Sequence, residues 1–348
     1  MTDQAISGVF ARASATTAAV RGWLLLTALL VFAMVMVGGA TRLTESGLSI
    51  TQWKPITGVL PPLSPAEWQD EFDRYRQIPQ YGALNADMHL DGFKTIFWWE
   101  WAHRLLARVV GMVFILPALA FWATGRLKGR TGGRVALAAG LLALEPLVGW
   151  WMVSSGLSQR TEVAQERLAL HLLIAAAVFG VLIYTAAGLS VRRRAPVRGF
   201  VAPAHLMAGL VFVQLGLGAL VAGLRAGLVY NTWPLMDGRL VPTGLFGQPP
   251  ALRALWDDVT TVQFDHRAAA YAVVALALAQ ALWALRAGGA LARRAGLVAG
   301  AAAAQAALGV ATLVYVVPLP AALAHQAFAL ALFGLAVAHA SATRDEAR

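Results

Sequence analysis

Apolar residues run along this chain in eight blocks, at about 22–40, 95–122, 134–153, 168–190, 201–222, 264–285, 296–317 and 320–341. Each block, wound as a helix, is long enough to cross about 30 Å of hydrocarbon. The pattern predicts an all-α polytopic membrane protein with eight transmembrane helices. Polar residues between the blocks are sorted by sign. The loop after the second block holds Arg126, Lys128, Arg130 and Arg134. The loop after the fourth holds Arg192, Arg193, Arg194 and Arg198, and the loop after the sixth holds Arg286, Arg293 and Arg294. Arg12 and Arg21 precede the first block, and Arg344 and Arg348 follow the last. All of these share one side of the membrane if both termini are cytoplasmic, which is the positive-inside pattern. The loops of the opposite side are longer and mix signs, as in EWQDEFDRYR (Glu67 to Arg76). Even-numbered helices therefore run from outside to inside.

Two outer loops stand out. The first, about 41–94, holds Trp53, Trp68, Phe72, Tyr75 and Tyr81, with a turn at Pro61-Pro62. Within it, PAEWQDEFDRYRQ has the pattern of a short amphipathic helix at the interface. The third outer loop, about 223–263, holds NTWPLMDG (Asn231 to Gly238) and VPTGLFGQPP. Loops of this length at a membrane surface carry function or cover a site. The chain also repeats itself. His103-Arg104 matches His266-Arg267 and His171 matches His325, at offsets of 163 and 154 residues. Four helices per repeat keep both halves in one orientation, so the repeat is parallel about an axis along the membrane normal. The expected organisation is a cytoplasmic tail (1–21), an N-terminal half (22–195), a C-terminal half (196–341) and a cytoplasmic tail (342–348), each half a four-helix bundle pseudo-symmetric with the other.

Composition narrows the chemistry. Of 348 residues, 58% are hydrophobic and only 13% charged, against about a quarter charged in a soluble domain. The net charge of +10 lies in short loops between apolar blocks, which argues against nucleic acid as a partner and for membrane lipid. The chain has no cysteine, so disulfides, iron–sulfur clusters and thiolate ligands drop out. The N-terminus MTDQAISGVFARASATTAAVRG has no cleavage-site logic.

What remains is histidine. Within FKTIFWWEWAHRLLAR (Phe93 to Arg108), an apolar segment carries Glu100, His103, Arg104 and Arg108. Charges inside a span cost several kcal/mol unless paired or used. Glu100 and His103 share a helix face, so the carboxylate is placed to orient the imidazole or to move protons; a buried ion pair that fixes packing is the plainer alternative. Of the seven histidines, His103, His171, His266 and His325 each sit a few residues inside an even-numbered span, one pair per repeat. Two imidazoles from two helices of one bundle meet the needs of bis-histidine haem ligation, whereas zinc asks for three or four ligands at one site. His89, His205 and His339 have no counterpart in the other repeat and read as structural or solvated. Arg104 and Arg267 are suited either to anionic haem propionates or to lipid head groups. Glu145, beside Pro146, either lines a site or is capped where the proline frees a carbonyl. Trp98, Trp99, Trp101, Trp150 and Trp151 read as interfacial belt or haem-packing residues.

At these residues the chain resembles the haem A synthase family. The shared stretches are GGATRLTESGLSITQWKPITGVLPPLS (Gly38 to Ser64), FKTIFWWEWAHRLLAR (Phe93 to Arg108), GWWMVSSGL (Gly149 to Leu157), GALVAGLRAGLVYNTWPLMDG (Gly218 to Gly238), QFDHRAAAY (Gln263 to Tyr271) and LAHQAFAL (Leu323 to Leu330). Absence of a cysteine pair in the first outer loop resembles the proteobacterial and mitochondrial branch, and a short N-terminus without a transit peptide points to the bacterium. The sequence departs from the family pattern at Glu145-Pro146, where Gln-Gly is expected.

The resemblance implies an inner-membrane oxidoreductase that converts the C8 methyl of haem O to a formyl group, giving haem A for cytochrome oxidase. It implies a resident haem b on His266 and His325, with Arg267 nearby. Substrate haem O then lies near His103 and His171, with Arg104 beside it and Glu100 at the family's essential acidic position, all toward the periplasmic half. The farnesyl-transferring haem O synthase becomes the expected partner, with an electron donor of unknown identity, and homo-oligomerisation is left open. The methyl substrate that the resemblance implies is inert to side-chain acid–base chemistry, so a redox-active iron would have to act. A di-haem quinol-type electron-transfer protein is the first rival; it explains four histidines but not the large outer loops or Glu100. A transporter is the second, with only Pro146 to suggest a broken helix.

Overall fold

The computed structural model describes residues 3–189, 199–247 and 249–344, with side chains from residue 17 onward. Arg192, Arg193, Arg194, Arg198, Arg348 and most of the 342–348 tail lie outside the described residues, as does the side chain of Arg12. The described residues form eleven α-helices: α1 (Asp3–Leu43), α2 (Pro65–Tyr75), α3 (Pro79–Leu84), α4 (Leu90–Ala123), α5 (Gly129–Ser154), α6 (Gln165–Gly188), α7 (Val201–Gly223), α8 (Ala251–Asp257), α9 (Val259–Ala287), α10 (Gly289–Val314) and α11 (Leu319–Thr343). Eight are long and apolar enough to cross a membrane: Thr17–Leu43 of α1, and α4, α5, α6, α7, α9, α10 and α11. The chain is a multi-pass membrane protein, as the apolar blocks predict.

Helices α1, α4, α5 and α6 pack on one another, and α7, α9, α10 and α11 form a second group. The groups meet where α6 lies against α7 and α11, and α1 against α11. This seam holds the core, with Leu24, Val178, Leu182, Met207 and Ala336 all but sealed from solvent. Close approach there depends on glycine. A Cβ on Gly180 would lie 3.0 Å from the Phe333 ring, and one on Gly334 would lie 3.0 Å from the Phe179 ring. Small residues that let backbones approach are the usual means of packing helices in lipid, where the hydrophobic effect does not drive association. The two contacts are reciprocal, each phenylalanine seated on the other helix's glycine. At the outer end of the seam, Arg42 donates to the Ala222 carbonyl, and Arg225 donates to Glu45 at 2.5 Å. Glu162 pairs with both arginines. The reciprocal glycine–phenylalanine pair is consistent with a repeat about an axis normal to the membrane.

The first outer loop is a folded cap. Ser64 caps α2 by accepting from Glu67 N, and Pro65 takes the first turn, where its missing N–H costs nothing. The amphipathic face of α2 then packs onto protein rather than lying free at the interface. Phe72 and Tyr75 stack on Phe93 of α4, and Trp68 meets Phe97 edge-on at 4.9 Å. Helix α4 consequently begins at Leu90, outside the apolar block. In the third outer loop, Asp258 caps α9 through Thr261 N, and Asp257 accepts from Gln165 at the start of α6.

Candidate functional site

Each of the four matched histidines seats its ring against a glycine of a neighbouring helix. A Cβ on Gly38 of α1 would lie 2.9 Å from His103 Nε2, and one on Gly149 of α5 would lie 3.1 Å from His171 Cε1. In the second half, Gly218 of α7 stands at 3.1 Å from His266 Cε1 and Gly309 of α10 at 2.7 Å from His325 Cε1. Every one of these glycines lies five residues before the end of its helix, at Leu43, Ser154, Gly223 and Val314 respectively. The four rings therefore share one depth, near the same end of the spans. His171, His266 and His325 lie within the first two turns or so of their helices, whereas His103 lies deeper in α4 because that helix projects outward into the cap.

Three of the rings also meet a polar side chain four residues before the facing glycine, on the same helix face. The Gln214 amide nitrogen lies 3.0 Å from His266 Nδ1 and 3.0 Å from the His266 carbonyl. Gln305 does the same for His325 Nδ1 and its carbonyl, again at 3.0 Å each. Glu145 occupies the corresponding place on α5, with its carboxylate against His171 Nδ1. On α1 that position is Met34. The Glu145 carboxylate makes no hydrogen bond to the backbone near Pro146, so it lines the site rather than capping a kink.

Glu100 is 2% exposed and faces the cap. It accepts from Ser49 Oγ and Ile50 N, both at 2.8 Å, and from Arg104 at 2.6 Å. Its oxygens are thus engaged by the first outer loop and by Arg104, not by the His103 ring expected from their spacing. Arg104 in turn donates to the carbonyls of Ile50 and Gln52. In the second half, Arg267 donates to the carbonyls of Tyr230 and Thr232, and Gln263 stands where Glu100 stands, donating to Tyr230 O at 3.1 Å. Both arginines bind outer-loop backbone across the mouths of the sites.

The remaining expectations fall out as follows. His89 is exposed at the start of α4. His205 is satisfied by the Val201 carbonyl at 2.7 Å and the Tyr184 hydroxyl at 3.1 Å. His339 is 2% exposed on the inner part of α11, away from the four rings. Trp98, Trp99 and Trp151 are exposed as a belt requires, whereas Trp150 stacks on Trp53 at 5.9 Å and Trp101 packs under the cap. Gln214, Gln263, Gln305 and the four ring-facing glycines are the functional residues that sequence reasoning missed. For Gln214, Gln305 and three of the glycines the signal was present as E/Q-x-x-x-G in EPLVG, QLGLG and QAALG, whereas Gln263 and Gly38 lie outside that pattern.

The donor set suits a haem in each half. The His266 and His325 ring centroids lie 6.5 Å apart, with planes at 81°. That gap accommodates one metal between the rings, with metal–nitrogen bonds of about 2 Å on either side. Among the described residues, no cluster of three or more histidine, aspartate or glutamate side chains is placed to hold a metal ion.

Fold and site together define a polytopic membrane protein with a pair of glycine-seated histidines in each group of four spanning helices. Residues 21–337 match the cytochrome oxidase assembly protein family (COX15-CtaA), and the chain belongs to that family. It is 56% identical over 324 residues to the Heme A synthase of Rhodopseudomonas palustris, covering 92% of this chain and 89% of that protein. It is 54% identical over 331 residues to the Heme A synthase of a Chelativorans species (93% and 91% of the two chains). With the Heme A synthase of Sinorhizobium fredii it shares 51% over 345 residues (97% and 93%).

Proposed function

We propose that this chain is a haem A synthase, which oxidises the C8 methyl of haem O to a formyl group by successive hydroxylations. The observation that carries the reading is an asymmetry between otherwise matching halves. Glu100 and Glu145 in the first half occupy the places of Gln263 and Gln305 in the second. Proton transfer needs a group that ionises, and a carboxylate does so where an amide cannot. The first half is therefore the reaction half, taking haem O at His103 and His171. The second half reads as a plain redox site, where His266 and His325 would hold haem b and Gln214 and Gln305 contact the rings. Bound there, haem b supplies one-electron chemistry that no side chain offers.

The residues divide the remaining work. Glu100 holds a proton-accepting oxygen at the mouth of the reaction site, kept in place by Ser49, Ile50 and Arg104. Arg104 and Arg267 close the cap over the two sites and present cationic edges to haem propionates. The ring-facing glycines hold space for the imidazoles. Loop cations Arg126, Lys128, Arg130, Arg286, Arg293 and Arg294 lie at the end opposite the histidines, which supports an inner-membrane orientation with cytoplasmic termini and periplasm-facing sites. Haem O would arrive from the farnesyl-transferring haem O synthase.

The test is haem extracted from membranes of a host that makes haem O but not haem A, expressing this chain. Reverse-phase chromatography with mass detection separates haem B, haem O, the hydroxylated intermediate and haem A. Haem A is the expected product. Haem B alone, tightly bound and reducible, would leave an electron-transfer protein, and no haem at all would leave a transporter.

A further inference from the structure

We infer that Glu145 is a positioning residue that makes the two imidazole pairs electronically different, with a carboxylate-held ligand in the first half and an amide-held ligand in the second. The inference deepens the proposed function and rests on its reading that His103 and His171 hold a haem. Three observations support it. Glu145 contacts His171 at Nδ1, the nitrogen that faces away from a metal bound at Nε2. It stands four residues before the glycine that seats the ring, as Gln305 and Gln214 do in the other half. Both its oxygens are buried without a hydrogen bond to the backbone, so the freed carbonyl near Pro146 does not claim them.

The chemistry follows from donor and acceptor inventories. A carboxylate only accepts, so a carboxylate against Nδ1 requires that nitrogen to carry the proton and leaves the Nε2 lone pair facing outward. An amide offers both donor and acceptor. Gln305 and Gln214 point their nitrogens at Nδ1 and carbonyl alike, an arrangement in which Nδ1 accepts; with its amide turned, glutamine presents a neutral oxygen to an Nδ1 that carries the proton, a weaker acceptor than a carboxylate. A carboxylate behind a ligating histidine also raises the basicity of the ring, and outer partners of this kind tune a metal's potential. A more basic ligand favours ferric iron. The haem on His171 is therefore expected at a lower potential than it would have with glutamine in that place, while the haem on His325 is indifferent to Glu145.

The experiment uses the full chain, purified in detergent and titrated with haemin until uptake stops, then titrated redox-spectroscopically. The parent chain is expected to take two haems with two midpoints. Glu145→Gln, which copies Gln305, should raise one midpoint and leave the other. Gln305→Glu should lower the other midpoint and leave the first. Glu145→Ala should weaken haemin uptake at one site by roughly 10–100-fold, the usual cost of losing an outer partner. Two haems whose midpoints ignore both the Glu145→Gln and the Gln305→Glu change would overturn the inference. A parent chain that takes only one haem would overturn the two-site reading beneath it. Neither result depends on whether haem A is formed, so failure of the enzymatic assignment is read separately.

Discussion

Gly309→Ala is expected to remove about half of the bound haem from the purified protein while leaving α10 folded. The added Cβ would lie 2.7 Å from His325 Cε1 and 3.4 Å from Nδ1. A contact under 3.0 Å has to be relieved, and interiors are packed too densely to absorb it without movement. The ring is not free to move, because Gln305 holds its Nδ1 at 3.0 Å and also holds the backbone carbonyl of the same residue. Rotating the imidazole to admit the methyl would change its disposition toward the His266 ring, whose centroid lies 6.5 Å away. Elsewhere in a helix, alanine in place of glycine is favourable by up to about 1 kcal/mol. Gly300 on the same helix supplies the control, since nothing lies within 4 Å of a Cβ there. Gly300→Ala should keep its full haem content and melt no lower than the parent. The measurement is haem per protein by pyridine haemochrome, with thermal unfolding alongside. Full haem content in Gly309→Ala would mean that the glycine is a packing residue and not a ring seat.

Much of this architecture was legible before any coordinates. Eight apolar runs are an unambiguous signal because backbone in lipid must satisfy its own hydrogen bonds, which leaves helices as the only reading. The boundaries were less so. Helices α4 and α9 begin about five residues before their apolar blocks, at Leu90 and Val259. Their first turns are held by the cap and by Asp258, and hydropathy does not report capping. At the other end, α10 stops at Val314 because Val316 and Val317 both adopt positive φ, which β-branched side chains disfavour and periodicity cannot reveal. The four histidines announced themselves by depth and repetition. Their partners did not, because a contact across helices depends on rotational phase, and that emerges only on packing. The arginines show the same limit. The charge of Arg104 and Arg267 suggested propionates or lipid head groups, and the carbonyls of Ile50, Gln52, Tyr230 and Thr232 that also hold them were not legible. A main-chain carbonyl leaves no mark in the sequence. Glu145 was visible as an oddity, and only the His171 ring beside it explains the oddity.

Glu100→Gln and Glu100→Ala should separate the two roles that this carboxylate combines. As an anchor, Glu100 gathers the Ser49 hydroxyl, the Ile50 N–H and the Arg104 guanidinium into one buried cluster. Alanine removes every acceptor at once and leaves a largely buried guanidinium without its anion. Breaking such a pair costs about 3–5 kcal/mol, and the cap over the first site is expected to loosen. Trypsin should then cut at Arg74 or Arg76 in native membranes, where the parent resists. Glutamine keeps one oxygen for Ser49 and Ile50, and Arg104 retains its two loop carbonyls. Gln263 demonstrates that the same architecture tolerates an amide at this position. Glu100→Gln is therefore expected to stay folded, keep its haem on His266 and His325, and resist trypsin like the parent. Its yield of haem A should nevertheless fall by about 100-fold or more, the lower range for loss of a proton-transferring group, with haem O accumulating in the membrane extract. A Glu100→Gln chain that makes haem A at the parent rate would reduce Glu100 to an anchor of the cap and shift the proton-handling role to Glu145, the carboxylate against His171.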